Sequence, residues 1–263
     1  MARNTSVRLA PPRRRAQTGS ASEPGKVAPL RTSCSTCNLR ELCPPCCGLT
    51  RSERDAADHM VINRPRVRRG ESLYRAGDRF TSLYAVRTGF FKSTAVLDNG
   101  RDQVTGYTIT GEILGMDAIG SERHSGSAIA LEDSGVCAIP FAGLQALAHE
   151  IPSLQHHLRK MMSREILHEQ GVMLLLGSMI ADERLALFLL DLSRRLAAQG
   201  QSPSEFNLRM TREEIGSYLG LKLETISRTL SKFQEEGLIA VQQKLIRILD
   251  SAGLERVLGR EQD

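Results

Sequence analysis

The feature that most constrains the fold is a long apolar stripe in the segment after Pro152. Apolar residues recur there at steps of three, four and seven, the spacing that places them on one face of an α-helix. The pattern predicts a helix from Pro152 to about Met179, and a stripe this long and narrow suits a coiled-coil-like seam between two subunits. Packing against its own domain is the alternative. The predicted dimer interface consists of Leu154, Leu158, Met162, Ile166, Met173 and Leu176.

The segment before this helix, from about Val61 to Phe141, consists of short β-like runs separated by glycine turns. Asn99 and Gly100 between two of the runs predict a two-residue hairpin turn, because both residue types tolerate positive φ. Many short antiparallel strands at this spacing predict a sandwich or jelly roll. The predicted strands are Ser82–Val86, Phe90–Val96, Gln103–Thr108, Ala128–Glu132 and Val136–Ile139.

The segment after the long helix carries the signals of a DNA-reading domain. A further helix is predicted over Asp182–Gln199, and Thr211 with Glu214 then forms a capping box that begins another. Gly220 allows a tight turn, and a second short helix follows from about Leu223 to Glu236. Two short helices joined by a glycine turn are typical of a helix-turn-helix. The two runs 237–241 and Leu245–Leu249 are predicted to be the strands of a wing.

Three polar residues on the second short helix are candidates for base recognition. Glu224, Ser227 and Arg228 share the face opposite Ile226 and Leu230, near the helix N-terminus, where recognition helices meet base edges. Arg228 can donate two hydrogen bonds to guanine, Glu224 can accept one from a cytosine amino group, and Ser227 can adapt to either strand. The alternative is an ordinary solvated helix face.

This order of elements resembles the CRP/FNR superfamily, and the run LETISR from Leu223 to Arg228 is similar to the recognition helix of its FNR-type members. The resemblance implies an α+β fold with a cyclic-nucleotide-binding-like β-roll, a long dimerisation helix and a C-terminal winged helix-turn-helix. It also implies that Glu224, Ser227 and Arg228 read TTGAT half-sites. The expected divisions are a disordered basic tail at 1–31, a sensor segment and β-roll at 32–150, the dimerisation helix at 151–180 and the DNA-binding domain at 181–263.

The cysteines indicate a metal site. Five of the six lie between Cys34 and Cys47, and no secretory signal precedes them, so a metal is favoured over a disulfide scaffold. The spacing Cys34-x2-Cys37-x5-Cys43, with the remote Cys137 in a predicted strand, resembles FNR-type proteins. In that family three N-terminal cysteines and one from the β-roll hold an oxygen-labile [4Fe–4S] cluster, which favours the dimer until oxygen converts it. The resemblance therefore implies Cys34, Cys37, Cys43 and Cys137 as the ligands of a [4Fe–4S] cluster.

Other sensor chemistries stay open. Cys46 would complete a local four-thiolate set with Cys34, Cys37 and Cys43 that could bind zinc, although its spacers are shorter than those of zinc ribbons. A cyclic-nucleotide-responsive regulator is a second alternative, but Gly126 stands where CRP-like proteins carry the arginine that grips the cyclic phosphate. A cysteine-based redox enzyme is the third, and no GxGxxG, P-loop or Ser/His/Asp motif supports it, so we do not expect an enzyme.

Charge and hydropathy add little to the argument for DNA. Residues 1–31 contain seven basic residues and one acidic residue, so this tail carries a charge of +6. The net charge of the whole chain is +5, so the remaining residues sum to −1. Any DNA contact must therefore depend on local placement. No apolar run approaches the ~20 residues of a membrane span, so a cytoplasmic protein is expected. By resemblance, the expected partners are palindromic double-stranded DNA, RNA polymerase and a second copy of the chain when the cluster is loaded.

Overall fold

The computed structural model describes residues 65–96 and 100–259. Their N-terminal part is a β-roll of two antiparallel four-stranded sheets, which bury alternate residues between them. The eight strands are β1 (Arg66–Val67), β2 (Ser72–Tyr74), β3 (Ser82–Thr88), β4 (Phe90–Val96), β5 (Asp102–Ile109), β6 (Ile113–Leu114), β7 (Ser127–Ala130) and β8 (Ser134–Pro140). One sheet has the order β1-β8-β3-β6, and the other has the order β2-β7-β4-β5.

The five predicted strands correspond to β3, β4, β5, β7 and β8. β4 and β5 pair antiparallel with Val96 opposite Asp102, as a hairpin requires. Gly100 has a φ of 78°, while Asn99 lies outside the described residues. The hydrophobic pattern therefore located the strands, and the structure extends most of them by one or two residues.

Three helices follow the β-roll: α1 (Phe141–Glu150), α2 (Pro152–Ser178) and α3 (Ala181–Ala197). Pro152 occupies the first turn of α2, where the missing N–H costs nothing. The sequence did not predict α1, which turns back against α2. Among the described residues, no helix is both long enough and apolar enough to cross a membrane.

The predicted dimer stripe on α2 divides into two parts. Leu154 is fully buried in a cluster with the β-roll residues Leu83 and Ile139, and Leu158 packs against the same cluster. Leu154 has no exposed surface, because the first turns of α2 pack on their own domain, and the dimer interface stays a prediction. The other four members remain largely open to solvent, with Met162 44%, Ile166 60%, Met173 67% and Leu176 38% exposed.

The C-terminal domain is a winged helix-turn-helix. It contains β9 (Glu205–Asn207), α4 (Arg212–Leu219), α5 (Leu223–Glu235), β10 (Ile239–Gln242), β11 (Leu245–Ile248) and α6 (Ser251–Val257). The sheet order is β10-β11-β9, so the predicted wing hairpin gains a third strand that the sequence pattern did not reveal. The helices enclose Ile215, Leu219, Ile226, Leu230 and Phe233, each at most 2% exposed.

The C-terminal domain is docked on strands β4 and β5 of its own β-roll. Lys92 Nζ on β4 lies 2.7 Å from Glu214 Oε1 on α4, and the backbone N–H of Val104 on β5 donates to Ser217 Oγ at 2.9 Å. Arg195 of α3 donates to both carboxylate oxygens of Glu112, at 2.8 and 2.6 Å. Polar ties and a shared apolar cluster therefore fix α3 and α4 against β4 and β5.

A single arginine joins the ends of two helices at this junction. Arg184 donates to the carbonyl oxygens of Leu176 at 2.9 Å and Met179 at 2.8 Å, at the end of α2. It also donates to the carbonyl of Leu219, the last residue of α4, at 3.0 Å. Terminal carbonyls of a helix have no intrahelical partner, so Arg184 satisfies acceptors that would otherwise need water.

Candidate DNA-binding surface and sensor cysteine

The turn between α4 and α5 has the local geometry that the sequence predicts. Thr211 Oγ1 accepts from the N–H of Glu214 at 3.1 Å, and Glu214 Oε2 accepts from the N–H of Thr211 at 2.6 Å. Gly220 ends α4 in the left-handed region with a φ of 64°. At Gly216 a Cβ would lie 2.6 Å from the carbonyl oxygen of Leu221, so only glycine permits this close approach. The two helices are therefore held at a fixed angle.

The predicted recognition residues lie on the outer face of α5. Glu224 and Arg228 are exposed, Ser227 is half-buried, and Ile226 and Leu230 point into the core. Glu224 is separated from Ser227 and Arg228 by three and four positions, which places all three on one face. In the described part of the chain, neither Glu224 nor Arg228 has an ion pair with another side chain. The structure brings these three residues together, and their base contacts stay a prediction.

The structure adds basic residues that the sequence analysis did not single out. Arg212 Nη1 lies 3.3 Å from Ser227 Oγ, beside the recognition face. Lys222 is exposed at the N-cap of α5. Lys244 is exposed in the two-residue turn of the wing, next to Gln243, which has a φ of 55°. The fold brings Arg212 of α4 beside Ser227 of α5, and it adds exposed cations at the start of α5 and in the wing turn.

Electrostatics at the docked end of α4 favour an ionised carboxylate. Burial alone would raise the pKa of Glu214, but hydrogen bonds from Lys92 and from Thr211 outweigh it and lower the pKa below its ordinary value. The side chains of Lys92 and Glu214 are 18% and 20% exposed, so water screens the pair only partly. Glu214 therefore both caps α4 and ties it to the β-roll.

Cys137 is the one predicted cluster ligand among the described residues. It lies on β8 opposite Ala85 and is 6% exposed. The same packed cluster contains Leu154 and Met161 of α2. Cys34, Cys37 and Cys43 lie outside the described residues, as do Cys46 and Cys47. Over residues 65–96 and 100–259, no group of three or more His, Cys, Asp or Glu side chains is arranged to hold a metal. A metal site at Cys137 would therefore need ligands from outside the described residues.

A cavity of about 460 Å³ in the β-roll contains the stretch where a cyclic phosphate would be expected to bind. A Cβ at Gly126 would lie 2.6 Å from the carbonyl oxygen of Thr94, so the backbone leaves no room for a side chain there. The described lining includes Asp117, Glu165 and Glu169 but no Lys or Arg. An acidic lining without a cation opposes phosphate binding, which weakens the cyclic-nucleotide alternative.

Comparisons with known proteins agree with this architecture. Residues 64–150 match the family model of the cyclic nucleotide-binding domain, and residues 183–257 match that of the Crp-like helix-turn-helix domain. The transcriptional regulatory protein btr of Bordetella pertussis is 43% identical over 235 residues, which cover 89% of this chain and 97% of that protein. The fumarate and nitrate reduction regulatory protein of Escherichia coli K12 is 43% identical over 226 residues, or 86% and 90% of the two chains.

Among solved structures, FixK2 from Bradyrhizobium japonicum superposes with a TM-score of 0.70 at 29% identity, covering 76% of this chain and 98% of that chain. The β-roll, long helix and winged helix-turn-helix occur in the predicted order, and relatives of this identity extend over most of both chains. The fold class and the family resemblance are thus confirmed. The chain belongs to the CRP/FNR family of DNA-binding transcription regulators.

Proposed function

We propose that this regulator responds to oxygen through a [4Fe–4S] cluster held by Cys34, Cys37, Cys43 and Cys137. The observation that carries the proposal is the position of Cys137, which is buried on β8 in the same packed cluster as Leu154 and Met161 of α2. Thiolates are the ligands that such clusters need, and an apolar setting limits solvent access to them. When bound, the cluster would supply the oxygen-reactive centre. Relatives named for fumarate and nitrate reduction support a role when oxygen is scarce.

The link from sensor to dimer runs through α2. Its first turns pack on the Cys137 cluster, while Met162, Ile166, Met173 and Leu176 stay exposed further along. A change in how Cys137 is held alters the packing beneath the start of α2, and the exposed stripe is carried on the same rigid helix. A ligand shifts an equilibrium only through different affinities for its two states. The loaded sensor must therefore fit best with the α2 arrangement that pairs with a second copy.

The activity that the switch controls is binding to palindromic DNA. Two recognition helices about one DNA turn apart match symmetric half-sites, so DNA affinity depends on dimer formation. Arg228 would pair with guanine, Glu224 would accept from a cytosine amino group and Ser227 would adapt to either strand of a TTGAT half-site. Lys222 and Lys244 would contact phosphates. We propose RNA polymerase as the further partner, with activation of anaerobic genes as the main effect.

The ligand set is tested by anaerobic purification with iron and sulfide analysis of cysteine variants. Single Ser substitutions of Cys34, Cys37, Cys43 and Cys137 should abolish cluster uptake, whereas Cys46→Ser and Cys47→Ser should leave it intact. Cluster retention after Cys137→Ser combined with loss after Cys46→Ser would instead support a local four-cysteine site. Zinc analysis of the same samples distinguishes the structural zinc alternative.

The switch is tested by sedimentation and DNA binding before and after exposure to air. The anaerobic protein should sediment as a dimer and bind a TTGAT palindrome, and air should give mostly monomer without that affinity. Ile166→Glu should mimic air while the cluster stays bound, because a charge in an apolar seam is costly to bury. Leu174→Glu is the matched control, since Leu174 is 65% exposed but lies outside the stripe. A cluster destroyed by air with unchanged dimer mass and DNA affinity would contradict the switch.

A further inference from the structure

The side of α2 that faces away from the predicted dimer stripe has a regular pattern of its own. Its residues recur at alternating steps of four and three, the spacing of a helix face that packs along another helix. The pattern begins two positions before Met162, which is about 200° around the helix, so it lies almost opposite the dimer stripe. This outer stripe consists of the exposed residues Lys160, Arg164, Leu167, Gly171, Leu174 and Ser178.

Two large apolar side chains occupy the second half of the outer stripe. Leu167 is 63% exposed and Leu174 is 65% exposed, and a spacing of two helical turns places them on the same face. Nothing lies within 4 Å of a Cβ added at Gly171 between them, so another chain can approach the backbone closely there. A cavity of about 250 Å³ lies beside them, and its lining includes Leu167, Gly171 and Val172 of α2 and Leu187 of α3. Contiguous exposed apolar surface of this kind marks an interaction site.

The first half of the outer stripe is positively charged. α2 contains no acidic residue before Glu165, and among the described residues neither Lys160 nor Arg164 has an ion pair. Glu165 and Glu169 lie on the other side of the helix, where they line the β-roll cavity. Burial lowers the pKa of His157, and the charges of Arg164 and Lys160 lower it further. The positive charge on this half of the stripe is therefore left without a compensating carboxylate in the described part of the chain.

The charge and the leucines together restrict the occupant. Residues 1–31 carry a charge of +6, so this tail is repelled by the stripe. A second copy in parallel orientation would place identical cations opposite each other. DNA would satisfy the cations but would leave Leu167 and Leu174 against a charged backbone. An amphipathic helix, acidic at one end and apolar at the other, complements both halves of the stripe.

We propose that the outer stripe of α2 binds an acidic amphipathic helix of a partner protein. Carboxylates of that helix would pair with Lys160 and Arg164, and its apolar side chains would cover Leu167 and Leu174 and enter the cavity beside them. The stripe extends about 21 Å from Lys160 to Leu174 at 1.5 Å per residue, so a helix of about four turns matches its length. Since the dimer stripe lies on the opposite side, each subunit of a dimer would bind one such helix. The proposal does not depend on the cluster.

The probe is a synthetic helical peptide of about 18 residues, with Leu at steps of three and four and Glu grouped at one end. One control peptide has Lys in place of Glu, and a second has the same composition as the probe in scrambled order. Fluorescence anisotropy on the full-length protein should detect binding of the Glu peptide at least about tenfold tighter than binding of either control. The expected stoichiometry is one peptide per subunit.

Variants on the two sides of α2 distinguish the outer stripe from the dimer stripe. Leu167→Asn should weaken the Glu peptide by at least about tenfold, because a buried apolar contact is lost. Lys160→Glu combined with Arg164→Glu should weaken it by about tenfold and reverse the preference to the Lys peptide. Ile166→Asn is the matched control: Ile166 is 60% exposed but lies on the dimer stripe, so peptide binding should stay within about twofold. Far-UV circular dichroism that matches wild type verifies that each variant is folded.

Three outcomes would overturn the proposal. The first is equal binding of the three peptides, or unchanged binding of the Glu peptide to Leu167→Asn. The second is a loss of dimer mass in sedimentation of Leu167→Asn, which would make the outer stripe a contact with a second copy. The third is a loss of DNA affinity in the doubly charge-reversed variant with no effect on the peptide, which would make the cations a nucleic-acid contact.

Discussion

Replacing Arg195 by Met should break the strongest polar tie between the domains. The guanidinium makes two hydrogen bonds to Glu112 and one to the carbonyl of Tyr107, at 2.6 to 2.8 Å. Removal of a charged hydrogen bond costs about 1.5–3 kcal/mol. Water recovers part of this, because the side chains of Arg195 and Glu112 are 22% and 34% exposed. We therefore expect a loss of about 3 kcal/mol of unfolding free energy, at the lower end of the cost of opening a buried pair.

Urea unfolding of the full-length protein, followed by circular dichroism, measures this loss. Arg194→Met is the matched control: its neighbouring guanidinium is 70% exposed and lies 3.7 Å from Asp191, so it should cost no more than about 0.5 kcal/mol. A double-mutant cycle with Glu112→Gln should give a coupling energy of about 1–2 kcal/mol. A loss below about 1 kcal/mol for Arg195→Met, or an equal loss for Arg194→Met, would refute the reasoning.

Three further predictions concern α4, α5 and the wing. Arg228→Ala should cost about 1–3 kcal/mol on a TTGAT site and blur discrimination at the paired guanine; an equal loss on random DNA in gel-shift titrations would mean a phosphate contact instead. Lys244→Ala should weaken all sequences alike and reduce the salt slope of binding by about one, so a sequence-dependent loss would contradict its role. Because the pKa of Glu214 is lowered on folding, its stabilisation is present above its ordinary value of 4.5 and is lost as the pH falls through the lower folded value. The difference in urea midpoint between wild type and Glu214→Gln should therefore shrink only below about pH 4.5. A difference that does not depend on pH would show that the pKa of Glu214 is not lowered on folding.

Local signals in the sequence predicted the elements that they control directly. The Thr211 capping box begins α4 and Gly220 ends it, as their backbone geometry requires. The short helix α1 was missed because only Leu144 and Ala148 are buried along its ten residues, which is too few for a visible stripe. The strand β9 has three residues and only one buried side chain, so it carries no period at all.

Periodicity shows which residues share a helix face, but not what covers that face. The stripe on α2 predicts one seam, yet Leu154 is buried by the β-roll and Ile166 is left exposed. The sequence pattern could not predict the hydrogen bonds between the domains either. Arg195 and Glu112 lie 83 residues apart, and many other acidic residues could have paired with Arg195. Such partners can be assigned only when the fold shows which distant segments of the chain lie close together.

In the proposed dimer, the three hydrogen bonds of Arg184 would limit how much the spacing between two DNA half-sites can change. A planar guanidinium bonded to carbonyls of Leu176, Met179 and Leu219 keeps the end of α2 and the end of α4 at a fixed spacing. In a dimer that pairs along α2, the angle at which the two long helices cross then sets the distance between the two recognition helices. One base pair inserted between the half-sites rotates one of them by about 35° around the DNA axis. Because Arg184 fixes this spacing, the proposed dimer would have to bend the DNA or release one half-site, so the distance between half-sites would matter for binding in addition to base identity.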